Sequence, residues 1–185
     1  MKLRHEPLPG LLEIELTVHG DERGSFTETH NRDVLAALGV DTTFVQDNES
    51  WSADAGVVRG LHLQLGAAAQ GKLIRVLRGR IFDVAVDLRP DSSTYLRHAT
   101  VELAGEDPMM FWIPAGFAHG FCTLEPDTIV AYKVDAPYEP TSERTIAFDD
   151  PSLAIPWPVT REAAQLSAKD AAAGPFAELR AEVER

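Results

Sequence analysis

KLIRVLRGRIFDVAVDLR, residues 72–89, is the stretch that decides the fold class. From Ile81 to Arg89 apolar and polar residues alternate. Phe82, Val84, Val86 and Leu88 share one parity; Asp83, Ala85, Asp87 and Arg89 share the other. A period of two marks a β-strand with two unlike faces. Lys72–Leu77 reads as a second strand, and Arg78-Gly79 between them is a turn signal. The two segments are therefore expected to pair.

Similar strands are expected outward in both directions. Leu12, Ile14, Leu16 and Val18 alternate with Glu13, Glu15 and Thr17, and the polar run His19–Ser25 turns the chain. Further strands are expected over Thr43–Asn48, Val57–Gln64, His98–Leu103 and Thr128–Val134. Asn31 or Asp33 can cap a short helix through Val34, Leu35 and Leu38, ended by Gly39. Past Pro137, Pro140, Pro151, Pro156 and Pro158 interrupt regular structure; a short helix is expected near Arg161–Gln165. The residues from Ala171 onward read equally as a terminal helix or a loose tail. Many short strands with little helix predict an all-β sandwich or barrel, one domain over residues 1–185.

The net charge of −12 argues against nucleic acid or an anionic membrane as the main partner. It leaves room for one anionic ligand held by a few clustered cations. Cys122 is the single cysteine and has no internal disulfide partner, which fits a reducing cytoplasm. The first residues do not read as a signal peptide, and no stretch is long and apolar enough to span a bilayer.

The chemistry concentrates at Arg59-Gly60-Leu61-His62-Leu63-Gln64. Arginine grips phosphate through a forked pair of hydrogen bonds, and histidine takes a proton near neutral pH. Strict alternation would put Arg59 and His62 on opposite faces. A bulge is needed to bring both to one site, and Gly60 is the place for it. Pro114-x-Gly116-x-x-His119 resembles the second half of the cupin signature. His62-x-Gln64 resembles its first half with one metal-binding histidine replaced, and the expected glutamate is missing. A cupin-type jelly roll without its metal site is the expectation, against two ordinary structural histidines. Tyr132 reads either as packing or as a proton donor pointing into the barrel. Ser167-x-x-Asp170 fits a helix capping box, and Asp170 equally fits a carboxylate that orients His62. Gln46, Asp47 and Asn48 fit a polar strand end as well as a ligand contact. Arg23, Arg59, Lys72 and Lys169 are solvated charges unless the fold brings them together around a pyrophosphate.

Eight motifs in order, DERGSFTET, FVQDNES, VVRGLHLQ, QGKLIRVLRGRIFDVAVDLR, WIPAGFAHGF, YKVDAPYEP, DDPSLAIPWP and LSAKD, make the chain resemble the dTDP-4-dehydrorhamnose 3,5-epimerase family from about Leu11 to Asp170. The resemblance implies a jelly-roll homodimer that inverts C3 and C5 of dTDP-4-dehydro-6-deoxy-D-glucose without metal or cofactor. Carried over residue by residue, it implies His62 as base with Asp170 as its partner, Tyr132 as acid on the opposite face of the sugar, and Lys72 as stabiliser of the enolate oxygen. Arg59 and His119 would line the sugar and phosphate site. Arg23, Glu28, Gln46, Asp47, Asn48, Glu143 and Lys169 match nucleotide-binding positions, and Phe26 and Tyr138 are candidates for stacking on thymine. Leu63 stands where the family usually has an aromatic residue, Glu49 where a histidine is common, and Ser93 where a proline is common; Tyr95–Met110 is also less typical. These departures leave open a single-site epimerase of another deoxysugar pathway. A metal-dependent cupin using His62 and His119, and a non-catalytic nucleotide-sugar-binding jelly roll, are the more distant rivals.

Overall fold

The computed structural model describes residues 1–184. Its strands are β1 (Lys2–His5), β2 (Leu12–Glu15), β3 (Val18–Asp21), β4 (Gly24–Thr27), β5 (Gln46–Ser52), β6 (Val58–Gln64), β7 (Lys72–Arg78), β8 (Arg80–Asp87), β9 (His98–Ala104), β10 (Met109–Ile113), β11 (Phe117–Thr123), β12 (Thr128–Val134) and β13 (Glu143–Thr145). The helices are α1 (Arg32–Ala37), α2 (Ala168–Ala171) and α3 (Phe176–Val183). One sheet runs β1-β2-β10-β7-β12-β5 and a second runs β13-β6-β11-β8-β9, with β3-β4 as a separate hairpin. Neighbouring strands in both sheets are antiparallel. This is the expected all-β jelly-roll sandwich.

The main core lies between the sheets. Ile74, Val76, Phe111 and Val130 come from one sheet, and Ile81, Ala85, Phe117 and Phe121 from the other. Each sheet is also covered on its outer face. Leu35 of α1 packs with Leu12, Ile14, Leu73 and Trp112 over the first. Ile146, Leu153 and Phe176 pack with Leu61, Leu63, Val84, Val86 and Leu88 over the second.

Strand β8 keeps the alternation read from sequence, but its polar parity faces the interior. Asp83 and Asp87 are fully buried. Such burial is tolerable only when the carboxylates are hydrogen-bonded. Asp87 accepts from Arg89, Ser92 and Thr94, and Asp83 faces His119.

Several expectations are corrected. Strands β7 and β8 do not pair: the turn at Gly79 (φ +75°) carries the chain from one sheet to the other. Both strands lie inside their own sheets, and alternation within a strand says nothing about its partner. The strand expected over Leu12–Val18 is β2 and ends at Glu15; after buried Leu16 the chain leaves the sheet and forms the β3-β4 hairpin, which places Val18 in solvent. Strand β5 starts at Gln46, later than expected, and runs to Ser52 opposite the full length of β12. Residues 161–163 form a turn, not a helix. Of the two readings of the segment after Ala171, the terminal helix is the one found: α3 docks by Phe176, which is 1% exposed. The helix after Asn31 is as expected, with Asn31 Oδ1 accepting from the Val34 N–H and Gly39 (φ +100°) following its last turn.

Candidate active site

A cavity of about 430 Å³ opens between the two sheets, a volume typical of small-ligand sites. His62 comes from β6 and His119 from β11, and the two are directly opposed in the strand register. Tyr132 on β12 and Lys72 on β7 belong to the other sheet. His62 and Tyr132 therefore stand on opposite walls.

Gly60 lets Arg59 and His62 line the same cavity. Its φ is +113°, and the β6–β11 register shifts beside it. A Cβ at this position would meet the His119 carbonyl oxygen at 2.6 Å, so only glycine permits the approach.

Asp170 satisfies both of its readings at once. Its Oδ1 lies 2.6 Å from His62 Nε2, while Ser167 Oγ donates to Oδ2 at 2.8 Å and accepts from the Asp170 N–H. The capping box of the short helix α2 thus aims the carboxylate at the imidazole. Burial pushes the Asp170 pKa up, but the His62 hydrogen bond and charge, the Ser167 hydroxyl and Lys169 outweigh it and hold the group below the usual carboxylate range. An ionised carboxylate can only accept, so His62 Nε2 carries the proton that faces it, and in the neutral imidazole that leaves the lone pair on Nδ1. His119 Nε2 faces Asp83 Oδ1 in the same way, at 2.9 Å.

The cations of the cavity are Arg59, Lys72 and Lys169. Burial lowers Lys72 to about 8, against the opposing pull of the Glu143 and Asp83 carboxylates. Burial raises the Tyr132 phenol, with Arg59 acting weakly the other way, so Tyr132 is protonated at neutral pH. Glu143 lies below its usual range: burial raises it, but hydrogen bonds from Lys169 and Tyr138 lower it further. Its Oε2 is 2.9 Å from both Lys169 Nζ and Tyr138 Oη.

Gln46 and Asn48 also line the cavity, on the inward parity of β5. Four expected site residues do not. Asp47 falls on the opposite parity and pairs with Lys133 Nζ at 2.8 Å on the outer face. Arg23 and Phe26 sit on the β3-β4 hairpin, where the Phe26 ring is in solvent, and Glu28 follows them, accepting a hydrogen bond from Asn31. Ser50, Gln70 and Phe121 line the cavity without being expected there, Ser167 lines it besides capping its helix, and Asp83 stands behind His119. Extending the inward parity of Gln46 and Asn48 by two finds Ser50; Asp83 was visible as a polar residue in a buried strand. Leu63 is buried in the outer cluster of the second sheet, so that departure from the family pattern does not touch the cavity. Among the described residues no three His, Cys, Asp or Glu side chains group as a metal site.

The sequence pattern of the dTDP-4-dehydrorhamnose 3,5-epimerase family matches residues 5–178. The enzyme of that name from Salmonella typhimurium is 47% identical over 167 residues, 90% of each chain. The crystal structure of the Bacillus anthracis enzyme, with TDP and PPi bound, superposes with a TM-score of 0.91 at 46% identity, covering 94% of this chain and 98% of that one. A Legionella pneumophila dTDP-6-deoxy-D-glucose-3,5-epimerase in complex with dTDP-4-keto-L-rhamnose gives 0.92 at 45% identity, covering 98% and 96%. By sequence and by structure, this chain belongs to the dTDP-4-dehydrorhamnose 3,5-epimerase family.

Proposed function

We propose that this protein inverts C3 and C5 of dTDP-4-dehydro-6-deoxy-D-glucose to give dTDP-4-dehydro-L-rhamnose. The observation that carries the proposal is the His62–Asp170 pair on one wall facing protonated Tyr132 on the other. Both inverted carbons neighbour the C4 ketone, so their protons are acidified. His62 Nδ1 takes the proton, and Asp170 steadies the imidazolium that forms. Negative charge moves to the C4 oxygen, where the Lys72 ammonium stabilises it. Tyr132 returns a proton to the opposite face. Each step is a proton transfer, and the sequence of steps calls for no metal or redox cofactor.

Arg59 and Lys169 supply charge for the diphosphate, with His119 beside the sugar. Gln46, Asn48 and Glu143 serve the nucleoside, and Tyr138 at the cavity mouth stacks on the base. Arg23, Phe26 and Glu28 are too exposed to act on their own cavity: the Arg23 side chain is 87% exposed and Phe26 70%. We place them in the nucleotide site of a second copy, reached by the β3-β4 hairpin of a homodimer. Sedimentation should then give a mass near twice the 20.2 kDa of one chain; a single-chain mass at micromolar concentration would exclude this arrangement. The acidic net charge and the unpaired, buried Cys122 support a cytoplasmic setting.

The test is NMR of the keto sugar nucleotide incubated with the protein in deuterated buffer containing a chelator. Solvent deuterium at both C3 and C5 is expected. Deuterium at one carbon would reduce the reading to a single-site epimerase, and exchange only after added metal would overturn it.

The depressed Lys72 predicts a pH limb. The folded-state pKa is about 8, so the cation is present below that value and lost above it. kcat/KM should therefore fall as pH rises through about 8. Lys72→Arg should be slower at neutral pH but lack this limb, because guanidinium stays charged. A limb near 8 surviving in Lys72→Arg would assign it to another group.

A further inference from the structure

Gln64 stands two residues after His62, where a metal-binding cupin would carry its second histidine. It is 6% exposed, and its amide is fully engaged. Nε2 donates to the Ala68 and Pro137 carbonyls at 2.7 and 3.2 Å, and Oε1 accepts from the Glu139 N–H at 2.7 Å. The last two bonds grip the backbone immediately before and after Tyr138.

Two more glutamines hold the same segment. Gln46 Oε1 accepts from the Tyr138 N–H at 3.2 Å, and Gln70 Nε2 donates to the Ala136 carbonyl at 2.6 Å. Asp135, at the start of the segment, accepts from the Gly71 N–H at 2.6 Å. Residues 135–139 form no strand or helix, yet each has a backbone or carboxylate group tied to β5, to β6 or to residues 70–71. Tyr138 itself is half in solvent, and its hydroxyl donates to Glu143. Its pose is set by the backbone beneath it.

We infer that Gln64 is the positioning residue that presents the Tyr138 ring to the nucleotide base. The inference rests on the reading that Tyr138 stacks on that base. It assigns a task to the residue that replaces a cupin metal ligand: an amide both donates and accepts, and holding the two sides of Tyr138 requires both. An exposed ring on an untethered loop would have to be ordered at each binding event, at a cost in affinity.

Gln64→Glu isolates the donor half. It keeps the acceptor for Glu139 and turns a carboxylate toward the Ala68 and Pro137 carbonyls. Calorimetry with TDP and, separately, inorganic pyrophosphate reads the effect. The expected result is a TDP Kd raised about tenfold or more, the scale of losing a buried hydrogen bond and leaving its carbonyl unpaired. The pyrophosphate Kd should stay within about twofold, since that ligand has no base. In turnover KM should rise with kcat little changed. Tyr138→Ala should also weaken TDP, and adding Gln64→Glu to it should cost little more, because the two changes remove one interaction. Unchanged TDP binding in Gln64→Glu, an equal loss for pyrophosphate, or additive losses in the double variant would overturn the inference. If Tyr138→Ala binds TDP normally, the base-stacking reading fails first and takes the inference with it. Should Gln64→Glu not fold, Gln70→Met, which removes only the Ala136 bond, must show the same TDP-selective loss at about threefold.

Discussion

His62→Ala is expected to lower kcat by about 10³, within the range that loss of a positioned general base costs. TDP binding should stay within a few-fold, because the proposed contacts to the nucleobase and the phosphates are assigned to other residues. Asp170→Asn should cost about 10² or more. The carboxylate fixes Nε2 as the protonated nitrogen at 2.6 Å, and an amide can turn its own N–H toward the ring and reverse that tautomer. Asp170 also closes the capping box with Ser167, so melting curves must accompany the kinetics: a folded Asp170→Asn that binds TDP but does not turn over separates the catalytic role from the structural one. Near-normal turnover in His62→Ala would remove the proposed base and, with it, the proposed mechanism. The double variant is expected to be little worse than His62→Ala alone, since Asp170 acts through the imidazole.

How far these roles could be read before the fold was known depends on where each residue gets its partners. The β8 alternation and the need for a bulge at Gly60 were legible, because both are properties of one strand. The partner of β8 was not: the Arg78-Gly79 turn reads as a hairpin, and only the packing of both sheets sends β7 and β8 apart. Strand β5 begins later than its sequence suggests because both faces carry polar residues, Gln46, Asn48 and Ser50 toward the cavity and Asp47 and Glu49 toward solvent, so no apolar stripe marks its start. The same period of two, applied once β5 is in register, excludes Asp47 from the cavity. Asp170 could not be decided from sequence because its neighbours in the chain explain only the cap, while the imidazole it faces is 108 residues away. In sequence Gln64 shows only an incomplete metal motif; its partners are backbone atoms of other loops, which leave no side-chain signature. The hairpin residues Arg23, Phe26 and Glu28 carry the resemblance through the motif DERGSFTET, yet the β3-β4 hairpin holds them away from the cavity of their own chain.

Tyr132→Phe should separate the two halves of the reaction. Burial raises the phenol above its ordinary value, so at working pH it holds its proton and can only donate. His62, with its Nε2 proton committed to Asp170, can remove a proton from its own side of the ring and give one back. Without the phenol, the enolate can be reprotonated only from the wall it was formed on. In deuterated buffer the variant is therefore expected to exchange hydrogen for deuterium with retention, while inverted product falls by about 10² to 10⁴, the usual contribution of a positioned acid. The fold should be little affected, because among the described residues the Tyr132 hydroxyl has no hydrogen-bond partner and the ring stays packed against the main core. Inversion at close to the wild-type rate would assign the acid to another group. Loss of exchange together with inversion, while TDP still binds, would make Tyr132 necessary for proton removal itself and reverse the roles assigned to the two walls.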